Sequence, residues 1–216
     1  MPYKFSPSSL ALLKECPHCF WLQFNKGIKR PDGAFPSLPS GMDRVLKKHF
    51  DSFRDREMLP PELNELKGYK LFEDAELLEE WRNNRKGIQW EDEEGNILKG
   101  AVDNILLKGD KLVVLDYKTR GYPLKEDTAD HYQDQLDIYN FLLRKNGFAT
   151  ENYAYLLFYI PNKVNAKGDV IFDAELVKRT INVDNASYIF NKALKTLSGN
   201  APNPNTNCGF CQWKQH

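Results

Sequence analysis

The sequence has no excess of charge of either sign, because 30 basic residues balance 30 acidic residues among its 216. A surface that binds nucleic acid must therefore be a local patch, since the whole molecule has no net field that would attract phosphates. No apolar run approaches the roughly 18–20 residues of a membrane-spanning helix, and the N-terminus lacks an apolar signal-peptide core. We expect a cytoplasmic protein without a membrane partner.

Cysteine is scarce, and its placement is informative. The only cysteines form two Cys-x-x-Cys pairs with none left over, namely Cys16, Cys19, Cys208 and Cys211. In a reducing compartment this pattern favours a thiolate site for a metal or cluster over disulfide bonds. Such a site joins the two ends of the chain. Four thiolates suit either zinc or an iron–sulfur cluster, and the residues alone leave that choice open.

The chain also lacks internal repeats, low-complexity tracts and helicase motifs. Its composition, 41% hydrophobic and 12% aromatic, is that of an ordinary globular protein. Segments with strand patterns alternate with segments with helix patterns around a single core. We therefore predict one α/β domain over residues 1–216.

The most informative stretch runs from Gly100 to Thr119. Apolar runs at residues 101–107 and 112–115 flank a turn-like Lys-Gly-Asp-Lys segment. Two such runs with a short Gly/Asp turn between them predict a β-hairpin. The second run is nearly continuous, which is typical of a buried central strand.

Charged side chains gather at the end of this hairpin. Because side chains alternate along a strand, Asp116 and Lys118 point to one face, and Asp103 on the partner strand lies within reach. Charges at strand ends are common in a chain that is 28% charged, but charges that emerge from a buried strand favour a function. Neighbouring carboxylates repel each other, and a divalent cation such as Mg²⁺ relieves that repulsion.

Helical periodicity predicts a helix over residues 41–56. Its apolar stripe comprises Met42, Val45, Leu46, His49, Phe50 and Phe53. On this pattern His49 faces inward, where a histidine is more often a hydrogen-bonded core residue than a metal ligand. Asp43, Lys47 and Lys48 fall on the other faces and are expected to be solvated.

The remaining elements follow from caps and breakers. Ser6 and Pro7 predict the start of a helix that ends near Pro17. A long helix to about residue 145 places Gln135 and Tyr139 on one face. The other predicted helices span residues 74–85 and 184–197, and the other strands span residues 87–92, 152–160 (closed by Pro161) and 170–175.

The order of these elements resembles the PD-(D/E)XK nuclease superfamily. More narrowly it is similar to the RecB-like branch, which includes the CRISPR-associated exonucleases and the nuclease domain of AddB. Four stretches support the resemblance: the opening Ser-Pro-Ser-Ser-Leu with Cys16, the Gly-x-x-Asp that ends at Asp103, the Asp-x-Lys-Thr from Asp116 to Thr119, and the Gln-x-x-x-Tyr from Gln135 to Tyr139. The resemblance implies a restriction-endonuclease-like mixed central sheet flanked by helices.

The resemblance and the residues agree on metal-assisted phosphodiester hydrolysis. Asp103, Asp116 and the carbonyl of Tyr117 are expected to hold Mg²⁺ or Mn²⁺, which lowers the pKa of a bound water. Lys118 is expected to position that water or to offset negative charge. By resemblance, Gln135 and Tyr139 line the same site.

Two further residues are candidates of the same site. Arg120 follows the Asp-x-Lys motif and is a candidate phosphate contact. The branch often places a metal-binding histidine four residues after a helix glycine, where this chain has Val45. His49, one turn later, is the candidate in its place.

For the cysteines, the resemblance favours a [4Fe-4S] cluster, with zinc as the alternative. Cluster-bearing relatives have one cysteine near the N-terminus and three near the C-terminus, whereas this chain has two and two. Cys19 is the candidate replacement for the missing last cysteine.

Three hypotheses follow. The first is a metal-dependent DNA nuclease, namely an exonuclease that acts on single strands or ends. It would act in DNA repair, recombination or CRISPR adaptation, with a helicase or an adaptation protein as a partner in trans. The second is a catalytically inactive nuclease fold that binds DNA or a partner. The third is a structural zinc or cluster protein in which the Asp-x-Lys hairpin is a coincidence.

Overall fold

The computed structural model describes residues 2–213, with Trp213 described by its backbone alone. Met1 and residues 214–216, which the predicted domain of residues 1–216 includes, lie outside the described residues. The assignment of the whole chain to one domain stays a prediction.

Helices and strands alternate along the described chain. The helices are α1 (Pro7–Glu15), α2 (Pro17–Lys26), α3 (Ser37–Arg54), α4 (Ala75–Arg82), α5 (Gln133–Lys145), α6 (Val183–Ser198) and α7 (Gly209–Trp213). The strands are β1 (Lys4–Phe5), β2 (Tyr69–Leu71), β3 (Ile88–Glu91), β4 (Ile97–Gly100), β5 (Asn104–Lys108), β6 (Lys111–Thr119), β7 (Tyr153–Val164) and β8 (Val170–Thr180). Short 3₁₀ turns span Pro61–Leu63 and Thr128–Tyr132. None of these described helices is long and apolar enough to cross a membrane.

The main sheet has five strands in the order β2-β5-β6-β7-β8. Strand β6 pairs antiparallel with β5 and parallel with β7, so the sheet is mixed. A second sheet of three strands has the order β1-β4-β3. The predicted α/β fold with a mixed central sheet flanked by helices is confirmed, and the small sheet is an addition to it.

Each face of the main sheet is covered by a hydrophobic core. On one face, β6 contributes Leu112 and Val114 to a core with α1, α5 and α6. On the other face, Val113 and Leu115 pack with Leu46 and Phe50 of α3 and with Tyr117. Because β6 is buried on both faces, the polar side chains at its end emerge from the middle of the protein.

The predicted hairpin is confirmed, with one correction. Strands β5 and β6 pair from Asn104–Leu115 to Lys108–Lys111, and Gly109 in the turn has a φ of 60°, which favours glycine. The first strand does not begin at Ala101, because β4 ends at Gly100 in the small sheet and the N–H of Val102 donates to the carbonyl of Trp81. Asp103 therefore lies just before its strand.

Helices α2 and α3 differ most from the sequence prediction. Pro17 does end α1, but it also begins α2, because its fixed φ suits the first turn of a helix and Cys16 caps that turn. Helix α3 begins at Ser37 instead of Gly41. Val45, predicted in the buried stripe, is 57% exposed, because the buried side of α3 is centred on Leu46 and Phe50.

The last two strands are longer than predicted. Strand β7 continues through Pro161 to Val164, and a register shift between Pro161 and Lys163 accommodates the proline that lacks an N–H donor. Strand β8 extends to Thr180 and forms one edge of the sheet.

Candidate active site and cysteine centre

Asp116 and Lys118 lie on the face of β6 that is covered by α5. Asp116 is 2% exposed and forms an ion pair with the Lys118 ammonium. The Lys118 Nζ also donates to Gln135 Oε1 of α5 at 3.1 Å and lies 4.6 Å from the centre of the Tyr132 ring. The alternation of side chains that the sequence predicts thus brings Asp116, Lys118 and Gln135 together.

Asp103 reaches the same place from the segment before β5. Its Oδ2 accepts a hydrogen bond of 2.9 Å from the backbone N–H of Tyr117. Its carbonyl accepts one of 2.8 Å from the Nε of Arg82, whose guanidinium is held in turn by Asp51 of α3. The position of Asp103 is therefore fixed from both its side chain and its backbone.

A second lysine, from α3, enters this site. The Nζ of Lys47 lies 3.3 Å from Asp103 Oδ1 and 2.9 Å from the Asp43 carboxylate, one helical turn earlier. The prediction that Asp43 and Lys47 are merely solvated is therefore wrong. The sequence offered one weak signal for them, the i,i+4 spacing of opposite charges on a helix, but not the contact with Asp103.

Burial controls the charge of the carboxyl groups. Burial raises the pKa of Asp116 to about 7, against the opposing effect of the Lys118 ammonium. Burial also raises the pKa of Asp103, although Lys47 and Lys118 favour its ionised form. Burial alone would favour neutral Lys118, but Asp116 and Asp103 raise its pKa and keep the side chain cationic.

The donor atoms fit a hard divalent cation. Asp103 and Asp116 present carboxylate oxygens, the ligands that Mg²⁺ and Mn²⁺ prefer. Asp116 Oδ2 is buried and pairs with the Lys118 ammonium. A bound divalent cation would reduce the repulsion between the two neighbouring carboxylates more strongly than one ammonium does.

Gln135 and Tyr139 support Lys118 from α5. Gln135 Nε2 donates to the Tyr139 hydroxyl at 2.7 Å, which leaves Gln135 Oε1 to accept from Lys118. The Tyr139 ring packs on Gly100, where an added Cβ would lie 2.7 Å from the ring carbon Cε1. The Gly-x-x-Asp motif thus has a physical reason: its glycine leaves room for the tyrosine that positions the lysine.

Of the remaining candidates, His49 lies apart from the two aspartates. His49 Nε2 contacts the Glu62 carboxylate at 3.1 Å, on the side of α3 that is turned away from Lys47. Within residues 2–213 the structure shows no contact between His49 and Asp103 or Asp116. The Tyr117 ring lies on the opposite face of β6, where its hydroxyl accepts from Asn104 at 2.7 Å. The N–H of Arg120 donates to the carbonyl of Tyr159 at the end of the paired strands.

The four cysteines meet at a second site. Cys16 and Cys19, around the junction of α1 and α2, meet Cys208 and Cys211 around the start of α7, and all four are buried. Their Sγ atoms all lie within 4.8 Å of one another. The predicted joining of the chain ends by a four-cysteine site is confirmed as a geometric fact. Among residues 2–213, this is the one group of three or more His, Cys, Asp or Glu side chains that is gathered so closely.

Backbone groups and burial make the four thiols unequal. Burial raises the pKa of Cys19 to about 12. Burial also disfavours the Cys208 thiolate, but the N–H groups of Cys211 and Phe210 lower its pKa to about 6. Arg30, in the loop after α2, donates from Nη2 to Cys208 Sγ at 3.1 Å.

The mixed sheet flanked by helices is consistent with a nuclease fold. Two carboxylates and a lysine gather at the end of its central strand, beside a glutamine and a tyrosine of α5, which is the arrangement that the resemblance implies. A family model described as the PD-(D/E)XK nuclease superfamily matches residues 4–216. The chain therefore belongs to the PD-(D/E)XK nuclease superfamily, which indicates a nuclease with a nucleic-acid substrate. Members of this superfamily usually use divalent metals.

Other comparisons are weaker. A solved structure titled "Crystal structure of SSO0001" is 14% identical to this chain, with a TM-score of 0.44, over 100% of this chain and 85% of that chain. A search of curated proteins found no match. The family match does not distinguish branches of the superfamily, so the RecB-like assignment stays a prediction.

Proposed function

We propose that the protein is a DNA nuclease that depends on Mg²⁺ or Mn²⁺ and belongs to the RecB-like branch. The observation that supports this most directly is the convergence of Asp103, Asp116 and Lys118 at the end of the central strand. Three side chains from separate positions meet there with the acidic oxygens and the cation that phosphodiester hydrolysis needs.

The chain's own residues have distinct tasks in this proposal. Asp103, Asp116 and the carbonyl of Tyr117 would hold the divalent ion, which when bound polarises the phosphate and lowers the pKa of a water. Lys118 stays cationic beside the two aspartates, so it stabilises negative charge that develops on the phosphate and does not act as a base. Gln135 and Tyr139 hold the Lys118 ammonium in place.

The substrate and pathway follow from the resemblance. We propose an exonuclease on single strands or ends, in DNA repair, recombination or CRISPR adaptation, with a helicase or an adaptation protein in trans. Arg120 is the proposed phosphate contact, and a cytoplasmic location stays a prediction. The alternative is an inactive DNA- or partner-binding module, which the Lys47 contact favours because an ammonium already neutralises Asp103.

A cleavage assay on labelled single- and double-stranded DNA tests the proposal. We expect cleavage with Mg²⁺, loss with EDTA, and recovery when excess Mg²⁺ is added back. Lys118→Ala should lower the rate by about 10²–10³-fold, the usual effect of removing one group that stabilises developing charge. Lys111→Ala is the matched control, because Lys111 lies on the same strand at its far, exposed end.

The same assay separates the alternatives. Turnover of Lys118→Ala equal to that of the parent would contradict the assigned role, and binding of DNA without cleavage under any divalent ion would favour the inactive module. A closed circular single-stranded DNA tests the mode, since an exonuclease needs an end and leaves the circle intact.

A further inference from the structure

The distances between the cysteine sulfurs report what the site can hold. Cys16 Sγ lies 3.6 Å from Cys211 Sγ, and Cys19 Sγ lies 3.7 Å from both Cys208 Sγ and Cys211 Sγ. The remaining pairs also stay within 4.8 Å. The four sulfurs thus form a small, closed tetrahedron with neighbouring atoms in van der Waals contact.

These distances can be compared with two kinds of centre. A single zinc ion binds four thiolates at about 2.3 Å in a tetrahedron, which places neighbouring sulfurs about 3.8 Å apart. In a [4Fe-4S] cluster each thiolate binds a different iron at a separate corner, which spreads neighbouring sulfurs to roughly 6 Å. The observed spacing matches the single ion and leaves no room for the cluster that the resemblance implies.

We propose that the four-cysteine site holds one tetrahedral Zn²⁺ ion instead of a [4Fe-4S] cluster. On binding, the thiols release their protons to solvent and four Zn–S bonds form, with no change of oxidation state. All four ligands come from the protein and are buried, so no open position remains for a substrate. A closed site of this kind is structural, and here it joins the α1–α2 junction to α7.

Groups around the sulfurs are arranged for the negative charge that such a centre has. Arg30 Nη2 donates to Cys208 Sγ, and Arg30 Nη1 donates to Glu15 Oε1 at 2.6 Å, which fixes the guanidinium against α1. The N–H of Cys19 points at Cys16 Sγ at 3.5 Å. Zinc with four thiolates has two negative charges, and Arg30 offsets one of them. Arg30 is therefore a positioning residue of the metal site.

Metal analysis of the full-length protein tests the proposal. The protein is to be produced with iron and zinc both supplied and purified without oxygen. We expect one zinc per chain, no sulfide released by acid and no broad visible absorbance. Replacement of zinc by Co²⁺ should give the visible absorption bands of a tetrahedral cobalt–tetrathiolate complex. Iron with an equal amount of sulfide, a single bound iron, or failure to bind zinc and cobalt would each overturn it.

A second measurement addresses Arg30 without relying on any enzymatic activity. Competition with a coloured chelator should show Arg30→Met to bind Zn²⁺ about tenfold more weakly or worse, the usual cost of removing a group that supports a metal ligand. Lys29→Met, the exposed neighbour, removes the same charge and should bind as the parent does. Equal zinc affinity of Arg30→Met and Lys29→Met would contradict the role of Arg30.

Discussion

The two candidate metal sites of this protein are built on opposite principles. The site at the end of β6 offers oxygen atoms, and two ammonium groups of the protein itself already lie among them. The cysteine site offers four sulfurs in contact with one another, with the Arg30 guanidinium beside Cys208 at their edge. To bind a metal, the first site would have to exchange its internal cations for an external one, whereas the second would only have to release protons.

This difference indicates different roles. Hard carboxylate oxygens suit Mg²⁺ or Mn²⁺, which exchange readily and keep positions open for water and phosphate. Thiolates suit a metal that stays bound and closes the fold. The family assignment indicates a nuclease, and only the oxygen site has the open chemistry that a nuclease needs. The comparison can be tested by changing one site at a time.

The largest effect should come from Asp116→Ala. This change removes one proposed ligand of the divalent ion and the buried partner of Lys118, so we expect DNA cleavage to fall about a thousandfold or more. The content of cysteine-bound metal should stay that of the parent, because the two sites share no residue. Cleavage rates and metal analysis on the same preparation measure both. Asp110→Ala, in the exposed turn of the same hairpin, is the control. Loss of both DNA cleavage and cysteine-bound metal in Asp116→Ala would show that the two sites are not separate.

The second effect concerns pH. The pKa of Asp116 is raised from its ordinary value to about 7 in the folded protein, so the folded state retains a proton that the unfolded chain releases. Without divalent ions, the free energy of unfolding should therefore fall as the pH rises from about 4 to about 7, by a few kcal/mol at most. Denaturant unfolding of the parent and of Asp116→Asn measures this. The decline should be smaller in the variant, and identical pH profiles would contradict the raised pKa.

The third effect concerns the support of Lys118. Gly100→Ala places a methyl group against the Tyr139 ring, and overpacking of this kind costs about 1–3 kcal/mol of unfolding free energy. Cleavage should fall as well, because Tyr139 holds Gln135 and Gln135 holds Lys118. Thermal unfolding and cleavage rates measure the two losses. Gly33→Ala, where an added Cβ meets nothing within 4 Å, should change neither the stability nor the cleavage rate. A Gly100→Ala variant with the stability and cleavage rate of the parent would exclude the proposed role of Gly100.

The smallest effect concerns the internal cation. Lys47→Met removes the ammonium that pairs with Asp103, so Mn²⁺ should bind about three- to tenfold more tightly, the worth of roughly one partly buried ion pair. Spectroscopic titration with Mn²⁺ measures this directly. Lys48→Met on the exposed side of α3 removes the same charge and should bind Mn²⁺ as the parent does. If both variants gain equally, overall charge and not the Lys47 contact controls the affinity.

Local patterns predicted the hairpin well, because a buried strand is recognisable from a few neighbouring residues. Alternation placed Asp116 and Lys118 on one face, and helical spacing placed Gln135 beside Tyr139, as the structure has them. The first strand was predicted too long, since no local signal marks where the chain leaves the small sheet at Gly100.

The rotation of α3 was predicted less well. Val45 is apolar but exposed, and its inclusion in the buried stripe displaced the predicted inner face towards His49. The packing of Leu46 and Phe50 against β6 turns Lys47 to Asp103 and His49 to Glu62. The resemblance proposed a histidine for this site, whereas the structure brings a lysine to it.

The sequence by itself determined which side chains are available: a pair of aspartates with a lysine at a strand end, and two pairs of cysteines without a remainder. These follow from periods of two and 3.6 residues and from spacing, which depend on near neighbours alone. Only the tertiary structure decided that Lys47 pairs with Asp103 and that the four sulfurs lie within 4.8 Å of one another. Those facts depend on how distant segments pack to within a few ångströms, because atoms far apart in sequence meet only once both faces of the sheet are covered.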